Sequence, residues 1–296
     1  MKPAIVVTGA STGIGLETAR LLVERGYRVF GTVRRPKDAA RLVSLGADPL
    51  IVDVTNTDTV QSAARCVERI LRGLPLVALV NNAGVPAAGP VELVDLREMR
   101  AAFEVNVFGT TAVTQAFLPL LRRSRGRIVN VSSIAGRFVC PMLGPYAATK
   151  HALEALSDAL RRELRPAGVD VVVIEPGPVR TAIWDKVAAI DTTRYQGTSY
   201  ERSARNIQRA AVRSGRTGLP AERVAEAILQ AITMRRPTAR ISVVRSGLAF
   251  FMLRHLPVRW ADRKAGLRSE RQPRLQPVER PGRVTPGLAA RLTSGW

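Results

Sequence analysis

The chain has 296 residues, 46% of them hydrophobic, and a mean hydropathy of +0.03. That suffices for a sizeable core, excludes wholesale disorder, and suits one large domain or two small ones. Lys and Arg number 45 against 24 Asp and Glu, a net charge of +21, and residues 235–296 alone hold 14 basic and 3 acidic residues. Cys66 and Cys140 form no disulfide framework, and His151 and His255 cannot build a His-rich metal site. Met1-Lys2-Pro3 runs straight into a strand-like segment, and no apolar run approaches the length of a membrane-spanning helix. The expectation is a cytoplasmic protein without a resident metal.

In chain order, residues 4–8 form an apolar run that ends in Gly9-Ala10-Ser11-Thr12-Gly13, a strand followed by a glycine turn. Residues 14–25 have helical spacing, stopped by Gly26. Strands follow at 27–33 and 50–52, a helix at 59–72, and a strand at 76–80 ending in Asn81-Asn82-Ala83-Gly84. Residues 97–121 read as one long helix, 128–131 as a strand ending in Ser132-Ser133, 145–165 as a helix, and 169–174 as a strand. Residues 182–219 are polar and partly helical, an insertion placed like a lid. A helix at 220–233 and a strand at 239–244 close the pattern, and from Arg268 the chain is Pro/Arg-rich and reads as mobile.

Apolar strands alternating with helices predict an α/β fold, a doubly wound, Rossmann-like parallel sheet covered on both faces. Its ligand crevice lies at the carboxyl ends of the strands. The expected organisation is a dinucleotide-binding catalytic domain over 1–245 and a basic C-terminal extension over 246–296. Within the extension, residues 246–267 combine Leu248, Phe250, Phe251, Met252 and Trp260 with basic residues. Such an element can make peripheral membrane contact, close over the substrate pocket, or pack on a partner subunit. Nucleic acid is disfavoured, because no basic helix carries base-reading or stacking residues.

The turn around Gly9, Gly13 and Gly15 lets backbone approach a pyrophosphate at a helix N-terminus. The second strand ends in Arg34-Arg35 with no acid, and guanidinium groups suit the 2′-phosphate of NADP(H). NADP(H) is therefore favoured over NAD(H). Tyr146 and Lys150 share one helix face. The nearby ammonium is expected to lower the phenol pKa and fit Tyr146 for proton transfer. Ser133, at a strand end on the same crevice, is placed to hold a substrate oxygen.

These pieces resemble the short-chain dehydrogenase/reductase family. The resemblance rests on Thr8-Gly9-Ala10-Ser11-Thr12-Gly13-Ile14-Gly15, Asp53-Val54, Asn81-Asn82-Ala83-Gly84 and Asn106. It continues through Ser133, Tyr146-Ala147-Ala148-Thr149-Lys150 and Pro176-Gly177-Pro178-Val179-Arg180-Thr181. It implies Tyr146 as general acid/base, Lys150 on the nicotinamide ribose, Ser133 on the substrate oxygen, and Asn106 holding a water behind Lys150. It further implies Gly9, Ser11, Thr12, Gly13 and Ile14 at the pyrophosphate, and Asp53 and Val54 at the adenine. Asn82 and Gly84 would line the adenosine side, and Val179 and Thr181 would hold the carboxamide. The sequence is closest in look to the steroid, retinol and lipophilic-alcohol branch.

Two departures matter. Thr12 stands where many NADP-using members carry Lys or Arg, so the NADP reading rests on Arg34 and Arg35. A further 50 or so residues replace the usual short Asp-Gly-Gly tail, so a homo-oligomer, with a dimer favoured, is expected rather than the usual tetramer. Val139, Met142, Leu143 and Trp184 either wall a lipophilic substrate or pack the lid on itself. The functional expectation is an NADP-dependent oxidoreductase of a small lipophilic secondary alcohol or ketone. The alternative is a non-enzymatic NAD(P)-binding regulator acting through the basic extension. The proton-transfer set argues against it, since a sensor needs no such chemistry.

Overall fold

The computed structural model describes residues 2–257, 259, 260 and 262; the Pro/Arg-rich stretch from Arg268 lies outside them. Strands β1 (Ala4–Val7), β2 (Arg28–Val33), β3 (Asp48–Ile51), β4 (Leu76–Asn81), β5 (Arg127–Val131), β6 (Asp170–Pro176) and β7 (Arg240–Val243) form one sheet. Their order is β3-β2-β1-β4-β5-β6-β7, and every pair is parallel. The order reverses between β1 and β4, which opens a crevice at their carboxyl ends.

Side chains alternate across a strand, so a strand buried on both faces must be apolar throughout. In β1, Ala4 and Val6 join a core with α3 (Thr57–Leu71) and α5 (Thr110–Ser124), through Val67, Phe117 and Leu121. Ile5 and Val7 face the other core, against Ala19 and Leu22 of α1 (Gly13–Glu24) and Val224 and Ile228 of α9 (Ala221–Thr233).

Local departures from the sequence reading have physical causes. Helix α3 starts at Thr57, because Asn56 Oδ1 accepts from the N–H groups of Asp58 (2.9 Å) and Thr59 (3.3 Å). A short helix, α2 (Ala39–Ser44), fills part of the link between β2 and β3, to which the sequence reading gave no element. β3 begins at Asp48 and admits Pro49, which sheets tolerate at the edge that β3 occupies. The long helix is three pieces: α4 (Leu96–Phe103), a π-helical turn (Glu104–Gly109) and α5.

After α6 (Gly144–Leu164) and β6, the lid carries α7 (Ile183–Ala188) and α8 (Glu201–Arg216). Its two ends meet. Leu219 N–H donates to Pro178 O and Arg180 N–H to Leu219 O, both at 2.9 Å. Helix α10 (Gly247–His255) follows β7 and buries Phe250. Among the described residues, no helix is long and apolar enough to cross a membrane.

β7 is tied to α6 by buried charge. Arg240 Nε lies 2.9 Å from Glu154 Oε2 and Nη2 lies 2.9 Å from Asp158 Oδ1, while the fully buried Glu175 Oε1 lies 3.6 Å from Nε. Ser242 Oγ donates to Glu175 Oε2 at 2.6 Å. Removing one partner of a buried ionic group strands the others. Arg240→Leu should therefore cost about 3 kcal/mol in urea-unfolding stability; a loss under about 1 kcal/mol would place the network among weak surface pairs.

Candidate active site

The crevice floor is built by backbone proximity. Gly9 has φ +64°, and a Cβ there would lie 2.8 Å from Ala83 Cα. A Cβ on Gly15 would lie 2.3 Å from Gly9 O and 2.5 Å from Asn82 Nδ2, so only glycine lets α1 sit this close. Asn82 Nδ2 donates to Thr8 O (2.9 Å) and Gly9 O (3.1 Å), while Thr8 Oγ1 accepts from the N–H groups of Asn82 and Ala83. Thr12, the N-cap of α1, makes no side-chain cap, and no acid stands in the first turn. The helix N-terminus thus keeps its amides for an anion, which fits a pyrophosphate. Ser11 and Ile14 are part-buried beside it, Thr12 is exposed, and Gly13 faces the Thr181 side chain across the turn.

At the end of β2, Arg34 and Arg35 are exposed, and Arg35 Nε pairs with Asp38 Oδ2 at 3.0 Å. Asp53 accepts from Thr55 Oγ1 (2.7 Å) and Thr55 N (3.0 Å). Those bonds, with the nearby Arg34 charge, hold its carboxyl below the usual carboxylate range. Val54 is buried, and a Cβ on Gly109 would lie 2.8 Å from its Cγ2. These groups fit an adenosine edge in which Arg34 is the unshielded cation beside Asp53.

The proton-transfer end lies past β4 and β5. Ser133 caps a 3-10 turn (Ile134–Gly136), accepting from Ala135 N–H at 3.1 Å, and its hydroxyl lies near enough to Tyr146, in the first turn of α6, to favour the phenolate. One turn on, Lys150 is buried and donates to Val131 O at 2.9 Å, with Nζ 5.7 Å from the centre of the Tyr146 ring. Burial pushes the Tyr146 phenol up to about 12, opposed by the Ser133 hydrogen bond. Part of the Tyr146 surface still opens to the crevice, which limits that penalty. Burial lowers Lys150 to about 8, opposed by Glu154. Burial dominates both shifts, and the Ser133 hydroxyl favours the phenolate.

Asn106 sits between the loop after β4 and α6. Its Oδ1 accepts from Val85 N–H (2.8 Å), and its Nδ2 donates to Val85 O and Thr149 Oγ1 (both 3.0 Å). The side chain thus ties the loop after β4 to α6. A Cβ on Gly84 would lie 3.3 Å from Asn106 Oδ1 and 3.9 Å from Lys150 Nζ.

The expected substrate wall divides. Val139 is exposed, and Leu143 is part-buried at the start of α6. Met142, in the left-handed region at φ +67°, packs on Tyr195 and Ala204 of the lid. Trp184 Nε1 donates to Val179 O at 2.7 Å, and its indole fills the space beside Gly215; it anchors the base of the lid. The sequence reading missed Thr8, Thr149 and Tyr195. Tyr195, fitted against Gly89 and Met142, is a buried aromatic in a polar stretch, and that contrast was its only signal.

Residues 3–191 match the family model for short chain dehydrogenase. The chain belongs to the short-chain dehydrogenase family. It is an oxidoreductase of alcohol and carbonyl groups. It is 39% identical over 267 residues to the NADPH-dependent 3-dehydrocapnine reductase of Ornithobacterium rhinotracheale, covering 87% of this chain and 94% of that one. It is 43% identical over 187 residues to human retinol dehydrogenase 16, covering 62% of this chain and 58% of that one. A solved short chain dehydrogenase/reductase from Burkholderia phymatum in complex with NAD superposes with a TM-score of 0.74 at 30% identity, covering 86% and 93% of the two chains.

Lys150 holds its proton less tightly folded, at about 8, than the 10.5 of a free lysine. The unfolded chain therefore binds more protons between those values, and folding gains stability as pH rises through them. Urea unfolding of the native chain against Lys150→Met should show the native chain gaining ground from about pH 8 to 10. A difference that stays flat would mean the ammonium keeps its hydration.

Proposed function

We propose that this short-chain dehydrogenase uses NADP(H) to interconvert a lipophilic secondary alcohol and its ketone. The observation that carries the reading is Lys150, buried and held on Val131 O at 2.9 Å, with its ammonium 5.7 Å from the centre of the Tyr146 ring and the Ser133 hydroxyl beside that phenol. A bound nicotinamide supplies or accepts the hydride. Ser133 orients the substrate oxygen and favours negative charge there. Tyr146, protonated at neutral pH, gives its proton to a carbonyl oxygen as charge develops. In the reverse direction it takes the alcohol proton, helped by the Lys150 ammonium. Val179 and Thr181, at the rim after β6, hold the carboxamide.

Arg34 supports NADP(H), since a 2′-phosphate at the end of β2 would meet an exposed guanidinium, and the strand end itself, Thr32-Val33-Arg34-Arg35, carries no acid for a ribose 2′-hydroxyl. The NADPH-dependent relative agrees, and the NAD-bound structure keeps NAD(H) as second choice. Val139, exposed, and Leu143, part-buried, add apolar side chains to the segment between Ser133 and Tyr146, which favours a lipophilic substrate.

Tyr146→Phe should lower turnover by about 100-fold or more with NADPH affinity within about threefold; unchanged turnover would remove Tyr146 from proton transfer. Arg34→Ala should weaken NADPH binding about tenfold or more, the worth of one charge-assisted hydrogen bond, and leave NADH nearly unchanged. Equal losses by nicotinamide fluorescence would mean that Arg34 meets no 2′-phosphate.

A further inference from the structure

Val243 pairs with Pro176, and Gly177 N–H donates to Val243 O at 2.9 Å. The carboxyl end of β7 therefore stands beside the turn at residues 177–181 that rims the crevice. Helix α10 begins there, its first turn fixed by Ser246 Oγ accepting from Ala249 N–H at 3.2 Å. Phe250 is buried, and Leu253 lies part-buried on the same side. The opposite stripe is also apolar. Leu248 (74% exposed), Phe251 (57%) and Met252 (58%) follow one another at helical spacing, and Trp260 (60%) comes after them. A helix apolar on both sides has one side left for something other than water.

The charge around that stripe selects its occupant. Across residues 243–262 the sequence holds Arg245, Arg254 and Arg259 against Asp262 alone, and all three arginines are exposed. Arg245 donates to Thr217 O, next to the exposed Arg213 and Arg216 in the last turn of α8. A second copy docking by twofold symmetry would bring the same arginines face to face. Residues 263–296 carry 8 basic and 2 acidic residues, the same sign again. A surface that is apolar beneath and negative above complements the whole patch.

We propose that α10 docks this protein on an anionic lipid bilayer, with Leu248, Phe251, Met252 and Trp260 at headgroup depth and Arg245, Arg254 and Arg259 on lipid phosphates. The docked helix sets the crevice rim against the lipid. That a lipophilic substrate enters there rests on the proposed function; the docking itself does not.

The test is co-sedimentation of the full chain with vesicles of phosphatidylcholine alone or mixed with phosphatidylglycerol. Partition onto the anionic vesicles should be about tenfold stronger or more. The combined variant Leu248→Ser, Phe251→Ser, Met252→Ser keeps every charge and should lose about tenfold or more of that partition, with far-UV circular dichroism unchanged. If that variant misfolds, Arg254→Glu with Arg259→Glu decides by the same loss. A native chain that stays in the supernatant with both vesicles overturns the proposal. So does a folded serine variant that sediments like the native chain, which would assign the binding to charges outside α10. A native dimer that the serine variant converts to monomer, with neither sedimenting, makes the face a contact between copies. Nicotinamide binding is read separately by fluorescence, so failure of the cofactor reading leaves these outcomes intact.

Discussion

The crevice depends on the absence of a side chain at Gly15. There α1 meets the carbonyl of Gly9 and the amide of Asn82 with no room for a Cβ. The contact sits at the switch point, where β1 and β4 diverge into opposite halves of the sheet. From it a continuous run of hydrogen bonds crosses the crevice. Thr8 and Asn82 tie the ends of β1 and β4, Val85 follows and holds Asn106, Asn106 holds Thr149, and Thr149 Oγ1 donates to Tyr146 O at 2.7 Å. The anion seat and the proton donor are therefore parts of one rigid assembly. That suits a reaction in which hydride and proton must reach neighbouring atoms.

Burial pushes the two titratable groups of that assembly toward neutrality from opposite directions, Tyr146 upward and Lys150 downward. What keeps Lys150 largely charged at neutral pH is the carbonyl of Val131 and the field of Glu154. Glu154 is itself buried, and its carboxyl is pushed up by desolvation and by Glu175 but steadied by Ser132 and Arg240. The sixth and seventh strands thus take part in the chemistry indirectly: they hold the counter-charges beneath the lysine. A pocket apolar to its base would leave the ammonium no reason to stay charged.

Legibility in the sequence followed the range of the forces involved. The five central strands were readable because both faces are buried, which forces runs such as Ile5-Val6-Val7, whereas the edge strands β3 and β7 are only partly covered. The glycine turn, Ser133, Tyr146 and Lys150 were readable because each sits at a fixed offset from a strand end or along one helix. The π-helical turn was not. Residues 104–109 have helical composition, and the close approach of Gly109 to Val54, more than 50 residues away, is a contact that local sequence does not announce. The hold of Asn106 on the loop and helix was hidden for the same reason, since its partners Val85 and Thr149 are distant in sequence. Arg240 looked like one more arginine in an arginine-rich chain until the fold set it on Glu154 and Glu175. Trp184 drew attention as a large apolar residue in the lid, yet its indole N–H found Val179.

The lid shows how this site can be both closed and accessible. Its base is backbone: Pro178, Arg180 and Leu219 pair beside the end of β6. Its outer ties are ionic or polar and exposed, Arg194 to Glu98 and Tyr200 to Glu92. Exposed ties of that kind hold about 1 kcal/mol or less apiece and weaken with salt. The stronger restraint is apolar, the seating of Tyr195 between Gly89 and Met142. Tyr195 shields its hydroxyl without a bonded partner, and Met142 holds a left-handed backbone that only surrounding packing sustains. The contact that seats the lid is thus the one that carries both an unbonded polar atom and a strained residue. Those two costs offset part of the burial gain, so closure is held by a smaller margin than the packing alone would suggest.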